Sequence, residues 1–201
     1  MRLLGLMGLA GAGKDTVADI LTCLAPMDRR AFADALRIEI AEAFGVDVRV
    51  LQERALREKP LLQLALRRCS DAEFVAWATD LQGEPDVSPR RIMRRWGDWR
   101  RSQRADYWLT RAEQARVAAI FDGHQAQLWT DVRYPNEADW VRSRGGMLWR
   151  IVRPGLEQDR SHDSETAADR IEADATILNA GSLDELRMRV VDLADALEGA
   201  E

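Results

Sequence analysis

At 201 residues with 46% hydrophobic side chains, the chain can bury a core of its own, and its size suits one domain with room for an appendage. It has no run of about eighteen apolar residues to span a membrane, and Lys14 and Asp15 cut the early apolar stretch off too soon for a secretion signal. A formal net charge of −5 argues against a generally basic surface for nucleic acid, yet residues 88–116 hold nine arginines against Asp98, Asp106 and Glu113, which marks a local anion site. Cys23 and Cys69 have no partners at metal-ligand spacing and read as plain thiols of a reducing, cytoplasmic setting, with Cys23 on the apolar side of the first helix.

Residues 2–8 read as a buried strand, and 14–25 as a helix with Val17, Ile20, Leu21 and Leu24 on one face. Between them lies GLAGAGKDT, residues 8–16, which meets the pattern G-x-x-x-x-G-K from Gly8 to Lys14. Gly8, Gly11 and Gly13 allow the tight turn that points successive N–H groups at phosphate oxygens, beside the positive end of the following helix. Among 29 basic residues only Lys14 and Lys59 are lysines, so the compact ammonium at the loop's tip is a marked choice. Asp15 stands where a Ser or Thr hydroxyl is usual. It reads either as a metal-facing oxygen ligand or as a cap on the helix, with Thr16 as the hydroxyl for a phosphate oxygen.

A short second strand falls near Arg30 to Ala33, followed by a helix that Gly45 ends. Residues 46–87 are polar and helical in pattern, broken by Pro60, Gly83 and Pro85, and their elements cannot be placed. Ser88-Pro89 opens a helix that carries the arginine cluster and is expected to stop near Gly97; a further helix covers roughly 106–121. "QAQLWTDVRY" suits a strand ending near Asp131. Pro135 then opens a helix closed by Gly145-Gly146, and "MLWRIVRP" gives another strand. The polar stretch 155–170 suits a lid, before a last strand in "ATILNAGS" and a closing amphipathic helix. Strands alternating with helices predict an α/β fold whose parallel sheet is covered on both faces. If the Asp131 strand lies beside the loop strand, Asp131 and Arg133 reach the carboxyl edge of the sheet, where such folds bind ligands.

The segments "GLAGAGKDTVADIL", "FADALR", "SPRRIMRRWGDWRR" with "DYWL", "TDVRYPNEADWVRSRGG", "RIVRPG" with "HDSE", and "ILNAGSLDEL" together resemble the phage-type deoxynucleoside monophosphate kinases, a branch of the P-loop nucleoside monophosphate kinase group. They keep the family's order over almost the whole chain. The resemblance implies a three-layer α/β/α P-loop fold with a mostly parallel five-stranded sheet. Residues 1–36 and 124–201 would form its core, about 37–123 a helical acceptor-binding region, and about 155–170 the lid. It implies transfer of the γ-phosphoryl group of ATP, with Mg²⁺, to a deoxynucleoside 5′-monophosphate, giving the diphosphate and ADP.

Carried onto this sequence, Lys14, Asp131, Arg133 and Arg153 become catalytic, and Asp15 and Asp131 face the metal. ATP falls to Gly11, Ala12, Gly13, Lys14, Asp15, Thr16, Asn179 and Gly181, the last two against the donor base. The acceptor falls to Asp34, Arg37, Arg90, Arg101, Trp108 and Arg133, with Arg100 not separable from Arg101 and with Trp96, Trp99 and Tyr107 as further stacking candidates. Arg153 and His162 would act with the lid. The expected partners are small nucleotides, with no nucleic acid or membrane and with a homodimer left open. The rivals are a dephospho-coenzyme A or other small-metabolite kinase, and a nucleic-acid-binding ATPase built on the Arg-Trp interleaving.

Overall fold

The computed structural model describes residues 2–156 and 170–198. They form two compact units, one made of the described residues within 1–32 and 113–201, the other of 33–112.

The first unit is built on five strands, β1 (Arg2–Met7), β2 (Asp28–Arg30), β3 (Ala126–Trp129), β4 (Met147–Val152) and β5 (Ala175–Leu178). They pair in the order β2-β3-β1-β4-β5, and every pairing is parallel. The chain steps outward from β1 to β2 in one direction and from β3 to β4 in the other. Right-handed crossovers therefore send the intervening helices, α1 (Lys14–Leu24) and α7 (Pro135–Arg142), to opposite faces. Alternation along β1 shows both faces. Leu6 joins Val17, Ala18 and Leu21 of α1 and Leu186 and Val190 of the last helix, α8 (Leu183–Glu198, following β5), in one core. Gly5 faces the other way, where a Cβ would stand 2.9 Å from Val132 and 2.8 Å from Leu148, close under Val141 of α7. Residue 5 is small because α7 packs there. Phe32, Trp129 and Trp140 form a ring cluster with centroids 4.8 to 5.6 Å apart.

The second unit is helical: α2 (Ala33–Phe44), α3 (Arg49–Gln52), α4 (Ala72–Trp77), α5 (Pro89–Gln103) and the start of α6 (Tyr107–Phe121), with short 3₁₀ turns at 54–56, 62–64, 66–68 and 79–81. Leu36, Ile40, Phe44, Leu64, Phe74, Ile92, Trp96, Trp99 and Trp108 make its core.

Several expectations need correction. α5 does not stop at Gly97 but runs to Gln103, because Gly97 lies within the helix, where a Cβ would be 3.5 Å from the Leu36 side chain. Ser88 caps that helix as expected, accepting from the Arg91 N–H, with Pro89 at its first position. Cys23 is exposed rather than on the apolar face, and Leu24 is exposed as well, since α1 turns Val17, Ala18 and Leu21 inward. The third strand ends at Trp129, two residues before Asp131. The expected lid falls largely on residues 157–169 and, with His162, lies outside the described residues. Among the described residues no helix is long and apolar enough to cross a membrane.

Candidate functional site

The loop between β1 and α1 has the shape its glycines permit. Gly8, Gly11 and Gly13 have φ of 141°, 82° and 106°, in the region that residues with a Cβ avoid. Gly8 also passes so close under the Ile151 carbonyl that any side chain would collide with it. Lys14 folds its ammonium onto the loop, donating to the Gly8 and Leu9 carbonyls at 2.7 and 2.9 Å. α1 starts at Lys14 behind Gly13, whose lack of a side chain leaves it unable to cap the helix, and Thr16 stands in the first turn. Backbone N–H groups, the helix dipole and one ammonium therefore converge at one end of the sheet, the composition of an anion site.

Asp15 lies on the surface in the first turn of α1. Its side chain is 87% exposed, and its carboxylate takes Arg29 Nη2 at 2.8 Å, while Nη1 of the same guanidinium reaches Asp19 at 2.5 Å. Asp15 thus joins a surface ion-pair cluster with Arg29 of β2, and spacing along the chain gave no sign of Arg29.

At the carboxyl end of β3 the chain is braced from three sides. Val132 N–H donates to the Leu6 carbonyl at 3.1 Å, and Asp131 accepts the Phe32 N–H at 2.7 Å. Glu137, 4% exposed, accepts the N–H groups of Arg133 and Tyr134 at 2.8 and 3.1 Å, closing a capping box on α7. Asp131 and half-buried Arg133 stand in this braced turn, directly beyond the strand that pairs with β1. Arg153 follows β4 and is exposed. Asn179, just past β5, donates its amide to the Ala12 carbonyl at 2.8 Å. Gly181 makes room for the Glu185 carboxylate, which accepts the Ser182 N–H at 2.8 Å at the start of α8, so its smallness has a local cause.

In the second unit, Asp34 holds Arg37 at 2.8 Å, and the Arg37 Nε is buried without a partner. Arg90 pairs with Glu58 at 3.2 Å. Glu39 was not a candidate, yet it is the centre of this unit's polar structure. Only 9% exposed, it accepts the Trp96 indole N–H at 3.0 Å, Arg100 Nε at 3.1 Å and the Tyr107 hydroxyl at 2.5 Å, with Arg111 at 3.5 Å. Burial, then the Glu39 carboxylate, push the Tyr107 hydroxyl above its usual pKa. Arg100 lies 4.1 Å over the Trp99 ring and 5.0 Å over Tyr107. Arg100 and Arg101, inseparable by spacing, thus differ in setting: Arg100 is bound into the Glu39 network, while Arg101 stands 3.8 Å from Asp98. Trp96, Trp99 and Trp108 are 1%, 2% and 4% exposed, and Trp108 gives its indole N–H to the Gly97 carbonyl. These rings pack the core.

Glu39 had a readable signal. Leu36, Glu39, Ile40, Ala43 and Phe44 follow the i, i+3, i+4, i+7, i+8 stripe of a buried face, so an acid at 39 had to find partners inside.

In fold, the chain is similar to a dephospho-CoA kinase from Campylobacter jejuni, with a TM-score of 0.50 at 13% identity, covering all of both chains. In sequence it is 26% identical to a protein of Acanthamoeba polyphaga mimivirus, provisionally assigned as a deoxynucleotide monophosphate kinase, over 97% of each chain. The family model for deoxynucleotide monophosphate kinase matches residues 70–190, more than half of the sequence, and the chain belongs to that family.

Proposed function

We propose that the first unit takes the triphosphate of ATP on the glycine loop, and that the chain transfers the γ-phosphoryl group to a deoxynucleoside 5′-monophosphate, giving the diphosphate and ADP. The observation that carries this reading is the loop itself: three positive-φ glycines, the Lys14 ammonium held on the loop's carbonyls, and a helix that starts directly behind Gly13.

Phosphoryl transfer needs alignment and charge neutralisation more than covalent chemistry. Loop N–H groups from Gly11 to Thr16 hold the donor's phosphate oxygens, and Lys14 leaves the Gly8 and Leu9 carbonyls to meet the β and γ phosphates. Arg133, on a backbone fixed by Glu137, steadies the charge that moves between donor and acceptor, and Arg153 joins it from the end of β4. Arg37, Arg90 and Arg101 are the groups by which the second unit takes the acceptor's phosphate, because a guanidinium fork matches phosphate geometry. Asp34 orients Arg37.

The residues fit Mg²⁺ as a partner of the donor. Among the described residues no group of three or more acidic, His or Cys side chains could enclose a metal, and Mg²⁺ in kinases takes most of its ligands from phosphate and water. Asp131 and Asp15 are the residues that would hold the ion, directly or through its waters, with the Thr16 hydroxyl on a phosphate oxygen. Once bound, it neutralises charge on the β and γ phosphates.

The test is ADP release with ATP, Mg²⁺ and a panel of nucleoside and deoxynucleoside monophosphates, with dephospho-coenzyme A included as acceptor. Deoxynucleoside monophosphates are expected to turn over. Lys14→Ala is expected to lose at least about a hundredfold in kcat, the scale of removing one preorganised charge-stabilising donor. Turnover of dephospho-coenzyme A alone, or an unimpaired Lys14→Ala, would overturn the assignment.

A further inference from the structure

We propose that Asn179 is a positioning residue for the phosphate loop, setting the Ala12–Gly13 peptide in the orientation that a triphosphate requires; the inference rests on the donor reading above. The backbone of Asn179 is fixed first. Its main-chain N–H donates to the Val152 carbonyl at 2.7 Å, so the residue continues the β4–β5 ladder beyond Leu178. From that anchored position the side-chain amide reaches back to the Ala12 carbonyl at 2.8 Å.

Peptide planarity makes this contact consequential. Ala12 C=O and Gly13 N–H belong to one rigid plane and point in opposite directions, so gripping the carbonyl aims the Gly13 N–H away from Asn179. Gly13 is also where α1 begins. The approach is close: with φ at 106°, a Cβ on residue 13 would stand 2.5 Å from Asn179 Nδ2. Residue 13 must therefore be glycine for two reasons, its dihedral angle and the amide beside it.

The loop is thereby fastened to the sheet at both ends. Gly8 fits under the Ile151 carbonyl at one end, and Asn179 holds Ala12 at the other. Ala12 is 1% exposed, so removing the amide leaves a buried acceptor without its donor. The peptide is then free to turn, and the Gly13 N–H loses its aim.

This role differs from contact with the donor's base, and the two separate by ligand. The full-length protein and its Asn179→Ala and Asn179→Asp variants are titrated calorimetrically with Mg²⁺-ATP and with Mg²⁺ and inorganic tripolyphosphate, which has no base. If Asn179 positions the loop, Asn179→Ala weakens both ligands by the same factor, about tenfold for one lost hydrogen bond. The KM for ATP rises while the KM for the acceptor stays in place. Asn179→Asp has nearly the same shape and turns a donor into an acceptor facing the Ala12 carbonyl, so it is expected to weaken both ligands further; thermal melts of each variant verify the fold. Loss of ATP affinity with tripolyphosphate unaffected, or no loss for either ligand, would overturn the proposal. A wild type that binds neither would overturn the donor reading and this inference with it.

Discussion

Glu39 interrupts the apolar stripe of α2 with a carboxylate, and three hydrogen-bond donors from α5 and α6, with the Arg111 guanidinium nearby, compensate its burial. Truncating it would leave the Trp96 N–H and the Arg100 and Arg111 guanidinium groups without their common acceptor. Glu39→Ala is expected to cost about 3–5 kcal/mol in urea denaturation, the usual penalty for removing one partner of a buried ion pair. Glu39→Gln, which keeps the shape and part of the accepting capacity, is expected to cost less. The two cysteines make a second contrast. Burial pushes the Cys69 thiol pKa up to about 11, whereas Cys23 is exposed on α1. One equivalent of maleimide at neutral pH is therefore expected to label Cys23, with Cys69 reacting only in denaturant; mass mapping of the labelled peptide checks it.

The helix α7 owes its seat to Gly5. Gly5→Val would drive two methyl groups into Val132, Leu148 and Val141, an overpacking expected to cost about 1–3 kcal/mol or more in thermal unfolding. Beyond the carboxyl end of the same helix, Glu113 of α6 collects Arg116, Arg144 and the Trp140 indole N–H at 2.7, 2.7 and 3.1 Å. The Arg116 hydrogen bond, aided by Arg144, holds the Glu113 carboxyl below its ordinary pKa of 4.5. Its contribution is therefore complete above that ordinary value and disappears as pH falls through the lowered one. Urea titrations from pH 7 down to 3 should show the stability difference between wild type and Glu113→Gln shrinking in that acid range. The apolar runs of β1 and β4 could be read from the chain, and Ser88-Pro89 gave the start of α5, though neither its end at Gln103 nor the exposure of Leu24 on α1 was legible. Residues 46–87 could not, since Leu51, Leu64, Leu66, Phe74 and Leu81 are buried at irregular intervals on short helices and 3₁₀ turns. The loop, Asp131 and Arg133 were legible as a strand-end pattern. The pairing of Asp15 with Arg29 was not, because nothing along the sequence indicates which side chain an exposed carboxylate will meet.

Taken as a whole, an acidic chain with a formal net charge of −5 keeps its arginine surplus in residues 88–116 and its single loop lysine at residue 14. Ligands that bind only the folded state raise its melting temperature by mass action. At about a hundred times their Kd, ATP and an accepted monophosphate are each expected to add roughly 5–10 °C in a chain of this size. Lys14→Ala should erase the ATP shift and keep that of the monophosphate, as scanning fluorimetry would read. Nucleic acid is expected to add nothing comparable, and a shift that it produced at physiological salt would favour the ATPase rival.

The strand at the centre of the sheet is translated first among the five, and both of its neighbours come late. Both partners of β1 lie beyond residue 125, and the 80 residues of the helical unit come between. At about 5–20 residues per second, a ribosome needs roughly 4–16 s to add those residues. During that interval the nascent β1 has two open hydrogen-bonding edges and nothing to close them, and the inserted unit completes its own core before β3 appears. The molecule's slowest and most aggregation-exposed step is thus expected to be the capture of its first strand by its later ones.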